Sequence, residues 1–255
     1  MDRLSWLLAP DLGREKLALL VFCTWTLYVL AVNLAWRWFR GKASRSLVAR
    51  VGGGALGLVY GVGIPLAVLW RGVGMREMGI PTTWVAQHGD VWRWLGIDAG
   101  QAIALLPQVA FAWLIGVGLF TAVWVWYVRT VGDMPVQSPT PWWQALLSAF
   151  SLQMLWALYR CFASTLTTNA AYASFIALAL VAASWLLDPF RRHGLTSRPD
   201  HTHVVRDWML LLLTGFAAIQ VRSLWLLVGL HWTWLWVSDR ALEFVGLKYA
   251  LPAAS

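Results

Sequence analysis

The sequence predicts an all-α integral membrane protein, a bundle of about seven transmembrane helices that forms one domain over residues 1–255. Hydrophobic residues make up 59% of the chain and charged residues only 13%, whereas soluble domains carry about 25% charged residues. Long apolar runs follow one another from Leu17 to Val245. Because ionisable side chains are almost absent from these runs, their surroundings are expected to be lipid and other apolar helices.

Each candidate helix is an apolar run bounded by short polar segments. About 20 apolar residues are needed to cross a bilayer, and the last run is long enough to cross twice if it reverses near 220–223. The predicted spans are 17–39, 51–70, 101–128, 142–162, 170–187 and the two halves of 207–246.

Basic residues are concentrated in two connections, 40–50 and 191–206, where acidic residues are scarce. The positive-inside rule places such connections in the cytoplasm. The connection at 71–98 has balanced charge and is expected on the outer face. We therefore predict an outer N-terminus and a cytoplasmic C-terminus, in a bacterial type of inner membrane.

Part of the outer connection, residues 82–95, contains Trp84, Trp92 and Trp94 but is too polar to span. Indole rings favour the depth of the lipid headgroups, so this pattern predicts a segment that lies in the membrane interface. An irregular loop is the alternative.

Three glycines of the second span, Gly53, Gly57 and Gly61, are spaced four residues apart. This spacing places them on one helical face, where small residues let two helix backbones approach closely in lipid. The sequence thus predicts a close helix contact at this face, either within the chain or between subunits.

The formal net charge of +8 indicates attraction to anionic partners. The basic residues lie in loops between apolar runs and not on one continuous face, so the lipid bilayer is the expected partner, together with other transmembrane proteins, and nucleic acid is not. Cys23 and Cys161 lie far apart in apolar runs and are interpreted as packing residues without a disulfide.

Polar residues inside the spans are the candidates for function, because hydrocarbon penalises them. They include no acid, and they do not provide the side chains of a serine hydrolase or a metal site. His201 and His203 alternate in a loop, which is weak evidence for metal binding. The candidates are Asn33, Gln108, Gln153, Arg160, Gln220, Arg222 and His231.

His231 is distinctive because Trp225, Trp232, Trp234 and Trp236 are its neighbours in sequence. The sequence allows two interpretations of this histidine. It is either a neutral imidazole packed against indole rings, or an axial ligand to a haem or a chlorophyll-type pigment. No cofactor is predicted, and the pigment is the alternative.

From about Gln153 onward, three motifs resemble the family of intramembrane proteases that includes CAAX prenyl endopeptidases and bacteriocin-processing or immunity proteins (CPBP). Residues 215–234 are similar to the family's stretch from a glycine-bearing helix, through a Ser-Leu-Trp turn, to its last histidine helix. Residues 155–160 resemble its Glu-Glu-x-x-x-Arg motif, and residues 175–179 its Phe-x-x-x-His motif. The resemblance implies that 142–246 has the fold of the family's catalytic core.

The chain departs from the family at the catalytic positions. In the family a glutamate activates water, and histidines with an Asn or Asp position that water or stabilise the oxyanion. The corresponding positions here are Leu155 and Trp156 for the glutamate pair, Ala179 for the first histidine and Leu235 for the Asn. Of the functional positions only Arg160 and His231 remain.

General acid–base catalysis needs a titratable group beside the reacting atoms, so the resemblance implies the fold without the activity. We expect a non-catalytic membrane scaffold, assembly factor or accessory subunit. The alternatives are an intramembrane endopeptidase with an altered site and a pigment- or haem-binding subunit. For Arg160 we expect the end of the fourth span, with the long side chain reaching the interface.

Overall fold

The computed structural model describes residues 14–39, 55, 57–70, 99–131, 140–196, 201–221 and 223–249. Within these ranges the secondary structure is helical. The predicted interfacial segment 82–95, together with Gly53 and Arg222, lies outside the described residues. The helices are α1 (Arg14–Phe39), a π-helical turn (Val59–Gly63) that continues into α2 (Ile64–Trp70), α3 (Ala99–Val131), α4 (Trp142–Leu166), α5 (Ala170–Leu187), α6 (Pro189–Thr196), α7 (His201–Gln220) and α8 (Leu224–Tyr249).

Five of these helices are long and apolar enough to cross a membrane. The apolar segments are Lys16–Arg37, Ile103–Thr130, Trp142–Leu166, Ala170–Leu187 and His201–Gln220. The chain therefore has the character of a multi-pass helical membrane protein. The chain also reverses between α7 and α8 at the predicted place, because α7 ends at Gln220 and α8 begins at Leu224.

Helix α4 occupies the centre of the bundle. Every residue from 153 to 161 is buried, and α4 packs against α1, the π-helical turn, α2, α5 and α8. A stretch of helix that is buried on every side lies in the interior of a bundle. By contrast, α1 and α3 expose most of their apolar surface, which is the pattern expected of helices that face lipid.

The end of the bundle that carries the C-terminus of α8 is defined by contacts between side chains. The ring of Trp36 in α1 meets Phe190 of α6 edge-on, at a centroid distance of 5.0 Å. Arg206 of α7 binds Asp239 of α8 at 2.5 Å. The C-terminal ends of α1 and α8 therefore lie at the same end of the bundle as α6 and the start of α7.

The π-helical turn has a local cause in Pro65. Proline has no N–H group, and its ring crowds the carbonyl of the residue four positions earlier, so the regular ladder of hydrogen bonds cannot continue. Here the N–H of Ile64 donates to the carbonyl of Val59, five residues back. Turns of this kind occur often beside functional sites, and Tyr60 and Gly61 of this turn line the cavity described below.

The predicted glycine contact is present at one position and absent at another. A Cβ atom on Gly61 would overlap the hydroxyl of Ser151 in α4, so the two backbones approach closely there. A Cβ atom on Gly57 would meet no other atom within 4 Å. Helices α3 and α8 also approach closely, at Gly116, where a Cβ atom would overlap the indole of Trp234.

Candidate functional site

A cavity of about 350 Å³ lies beside α4. Its wall is built from α1, the π-helical turn, α4, α5, α6, α7 and α8. Polar and charged side chains contribute to this wall at several depths, although α4 through α7 are otherwise rich in apolar residues. A cavity with a few converging polar groups is the usual form of a small-molecule site.

His231 lies in the wall of this cavity and is only 2% exposed. Its Nδ1 atom is 3.1 Å from the amide nitrogen of Gln153 and 3.5 Å from the hydroxyl of Thr214. An amide NH₂ group can only donate, so Nδ1 accepts from Gln153. The Thr214 hydroxyl donates to the carbonyl of Leu210. Helices α4, α7 and α8 thus meet at this histidine.

Some of the positions that resemble the family's catalytic residues meet at the cavity and others do not. Leu155 and Leu235 line the wall together with His231. Trp156 is instead buried against α7, where its ring would lie 3.1 Å from a Cβ atom on Gly215. Ala179 is exposed on α5. The described wall is therefore hydrophobic at the positions that correspond to the glutamate and the asparagine.

The carboxylate that lines the described part of the cavity belongs to Asp207. It binds Arg191 at 3.2 Å and Arg206 at 3.3 Å. Arg206 in turn binds Asp239 at 2.5 Å, and Asp239 also accepts the backbone N–H of Thr140 at 3.0 Å. This network neutralises Asp207 and connects the start of α4 to α7 and α8.

Arg160 does not reach the interface, contrary to the sequence-based expectation. The α4 helix continues to Leu166, and Arg160 is only 6% exposed. In the described part of the chain no acceptor meets its buried Nε and Nη2 atoms, and the same holds for the indole nitrogen of Trp156 one turn earlier. The amide nitrogen of Gln153 donates to His231, and the amide oxygen of Gln153 has no partner among the described residues.

None of the four tryptophans near His231 lines the described wall of the cavity that contains it, and Trp225 and Trp232 instead line an apolar cavity beside α3 and α8. The indole of Trp232 donates to the carbonyl of Trp142 at 3.1 Å, and that of Trp234 to the carbonyl of Trp113 at 3.3 Å. Trp225 stacks on Phe150, and Trp236 is 48% exposed. Trp225, Trp232 and Trp236 are seven and four residues apart and share one face of α8, whereas His231 is turned about 100° away from Trp232.

The remaining polar candidates lie apart from the cavity. Asn33 donates to the carbonyls of Val29 and Leu187, at 2.8 and 3.3 Å, and so ties α1 to α5. Gln108 and Gln220 are exposed.

Two histidines that suggested weak metal binding, His201 and His203, lie in the first turn of α7. The Nδ1 atom of His201 is 2.6 Å from the hydroxyl of Tyr127. The described residues contain no group of three His, Cys, Asp or Glu side chains that could hold a metal ion. Neither Cys23 nor Cys161 takes part in a disulfide.

Sequence reasoning missed a buried hydroxyl network that begins at Tyr60 in the cavity wall. The hydroxyl groups of Tyr60 and Tyr159 share a hydrogen bond. The Tyr159 hydroxyl is also 3.2 Å from that of Ser184, which accepts the indole N–H of Trp25 at 2.8 Å. The network joins four helical elements. Tyrosine in an apolar run is a weak sequence signal, because the ring is also an ordinary core residue.

Comparison with known proteins gives no match to a family model, a curated protein or a solved structure. The resemblance to the CPBP family therefore depends on the quoted residues alone.

Proposed function

We propose that this protein is a non-catalytic, CPBP-like membrane protein that works by binding, as a scaffold, assembly factor or accessory subunit of a membrane complex. The observation that carries the proposal is the wall of the cavity around His231. Leu155 and Leu235 stand where the resemblance would require a water-activating glutamate and an asparagine.

Hydrolysis at this wall would need a base within hydrogen-bonding distance of a water molecule. Among the described lining residues the acid is Asp207, which is held between two arginines. His231 accepts a hydrogen bond from Gln153 and packs at the junction of three helices. These contacts support a histidine that stabilises the bundle. We propose no resident cofactor and expect other transmembrane proteins as partners.

The test compares the wild-type protein with His231→Gln and His231→Ala after purification in a mild detergent. We expect no cleavage of peptides or prenyl-peptides by the wild type, and the same co-purifying proteins with His231→Gln, whose amide can keep one hydrogen bond. His231→Ala should lower stability. Cleavage that disappears in a folded His231→Ala variant would favour an intramembrane endopeptidase. A visible absorbance band lost in that variant would favour a haem or pigment subunit.

We also propose seven spans, with α8 and the stretch that ends in α2 crossing in addition to the five helices above, in a bacterial inner membrane. The N-terminus would be outside and the C-terminus cytoplasmic. The support is that the C-terminal ends of α1 and α8 meet α6 and the start of α7 at one end of the bundle. This end carries the basic connection that contains Arg191 and Arg192.

Cysteine labelling from outside tests this orientation in a Cys23→Ala background. Ser44→Cys and Ser197→Cys should resist a membrane-impermeant reagent. Thr168→Cys, in the exposed turn between α4 and α5, should react. Efficient labelling at 44 or 197 would reverse or reject the topology.

A further inference from the structure

Most serine and threonine hydroxyls in the apolar helices bond to their own helix. A serine or threonine in such a helix can donate to the carbonyl three or four residues earlier, which satisfies the hydroxyl without any partner. Bonds of this type are made by Thr24, Thr26, Thr121, Thr130, Ser164, Thr165, Ser174, Ser184, Thr214 and Thr233.

Ser148 and Ser151 of α4 differ from this pattern. Neither hydroxyl makes a hydrogen bond to a described residue, and the amide of Gln144, one turn before Ser148, makes none either. All three side chains line the cavity. The spacing of four and then three residues places them on one face of α4. Ser151 is nine residues from the start of α4, about 13 Å along the helix, so this row of free polar groups runs inward from the membrane surface.

The charge of the described wall is balanced. Its charged residues are Arg191 and Asp207, which bind each other. An ionic ligand would have to disrupt this pair or enter a region of low dielectric without a counter-charge, and both are costly. The free amide and hydroxyls can donate and accept hydrogen bonds. A matching ligand is uncharged and carries hydroxyl groups.

The cavity also opens on the flank of the bundle. Gln144 and Ser148 are exposed, and Leu58 and Leu147, which border the same cavity, are each 43% exposed. In a bilayer, apolar side chains at this opening would contact acyl chains. A ligand can therefore place a polar head inside while its hydrocarbon chain remains between Leu58, Leu147 and the lipid.

We propose that this cavity binds a neutral lipid with a free-hydroxyl head, of the mono- or diacylglycerol type. The glycerol hydroxyls bond to Gln144, Ser148 and Ser151, and the acyl chain leaves through the lateral opening. The volume of about 350 Å³ equals that of roughly a dozen water molecules in the liquid, which suits a glycerol head and the first carbons of a chain. This inference stands apart from the proposed function, because it holds whether or not the protein recruits partners.

Monoolein is the probe, with methyl oleate and oleic acid as matched ligands that share its chain. Methyl oleate lacks the hydroxyls, and oleic acid carries a charge. Binding to the full chain is measured in detergent by native mass spectrometry and by the rise in Tm. We expect monoolein to bind at least tenfold more tightly than either matched ligand. Equal binding of monoolein and methyl oleate would reduce the site to a nonspecific apolar surface and overturn the proposal. Tighter binding of oleic acid would overturn it in favour of an anion.

The matched variants separate the free hydroxyls from the self-bonded ones. Ser148→Ala with Ser151→Ala should weaken monoolein binding about 25-fold, because each hydroxyl contributes about fivefold. Ser164→Ala with Ser174→Ala should leave binding unchanged. If the Ser148→Ala, Ser151→Ala double variant does not fold, Gln144→Leu at the exposed start of α4 removes another of the proposed bonds to the glycerol head. It should weaken monoolein binding about fivefold. Unchanged binding in a folded variant of the first set would show that monoolein binds without these polar groups and would overturn the proposal.

Discussion

Arg206 and Arg160 are both largely withdrawn from solvent, with 11% of the Arg206 side chain and 6% of Arg160 exposed. Their surroundings differ. Arg206 binds Asp207 and Asp239 and leaves only its Nε unpaired, whereas among the described residues Nε and Nη2 of Arg160 both lack an acceptor and no carboxylate pairs with it. A buried charge costs several kcal/mol unless ion pairing and hydrogen bonds offset the loss of hydration. The end of the bundle around Arg206 is therefore built for stability, and the environment of Arg160 is not.

The same contrast separates the two polar clusters that flank α4. Around Tyr159 each hydroxyl has a partner in the structure. Along the face that carries Gln153, Trp156 and Arg160, a polar atom is left unpaired at every step. Buried polar groups are almost always hydrogen-bonded in folded proteins. The unpaired polar atoms of Gln153, Trp156 and Arg160 lie on one face of α4. A contribution to the stability of the bundle therefore does not explain why these residues are present.

The largest effect is expected for Arg206→Met. The substitution leaves Asp239, whose side chain is 10% exposed, without its cation, and breaking a nearly buried pair in this way costs up to about 3–5 kcal/mol. Folded yield in detergent and the Tm of the purified protein should both fall.

The matched control is Arg240→Met. Arg240 pairs with Glu243 at 2.8 Å on the surface, and its side chain is 52% exposed. Exposed pairs contribute about 0–1 kcal/mol, so the Tm should barely change. Equal losses in the two variants would mean that the Arg206 network is no more important than a surface ion pair.

A smaller effect is expected in the paired hydroxyl network. Tyr159→Phe removes the partner of Tyr60 and of Ser184, and a buried group left unsatisfied costs about 1–3 kcal/mol. Adding Tyr60→Phe removes the orphaned hydroxyl as well, so the double variant should recover part of the loss. A double-mutant cycle on the Tm in detergent measures this coupling. Additive losses would show that the two hydroxyls do not depend on each other.

The helices could be predicted from the sequence because their limits are local. The apolar run at 170–187 became α5 with the same bounds, and the run that begins at 142 became α4. The end of α4 was placed too early, at 162, because Ala163 to Leu166 is a short, mostly small or polar segment that the span pattern does not recognise. That error led to the expectation that Arg160 reaches the interface.

The contacts between helices could not be predicted in the same way. Arg206 and Asp239 are 33 residues apart in sequence, and Tyr60 and Tyr159 are 99 apart. Whether two such residues meet depends on the rotation and the register of packed helices, which depend on the side chains at the contact. His231 and Gln153 were both candidates, but their hydrogen bond depends on this register and was not foreseen.

The smallest and most discriminating effect is expected for Arg160→Met. Methionine is unbranched, of similar length and apolar, so it removes an uncompensated charge while keeping most of the packing. If Arg160 has no counter-anion, the free energy of unfolding should stay unchanged or rise by about 1 kcal/mol. Arg160→Lys keeps the charge and controls for shape, and it should show no gain. A fall of more than about 1 kcal/mol in Arg160→Met would show that an anion not seen among the described residues pairs with Arg160, and the contrast with Arg206 would disappear.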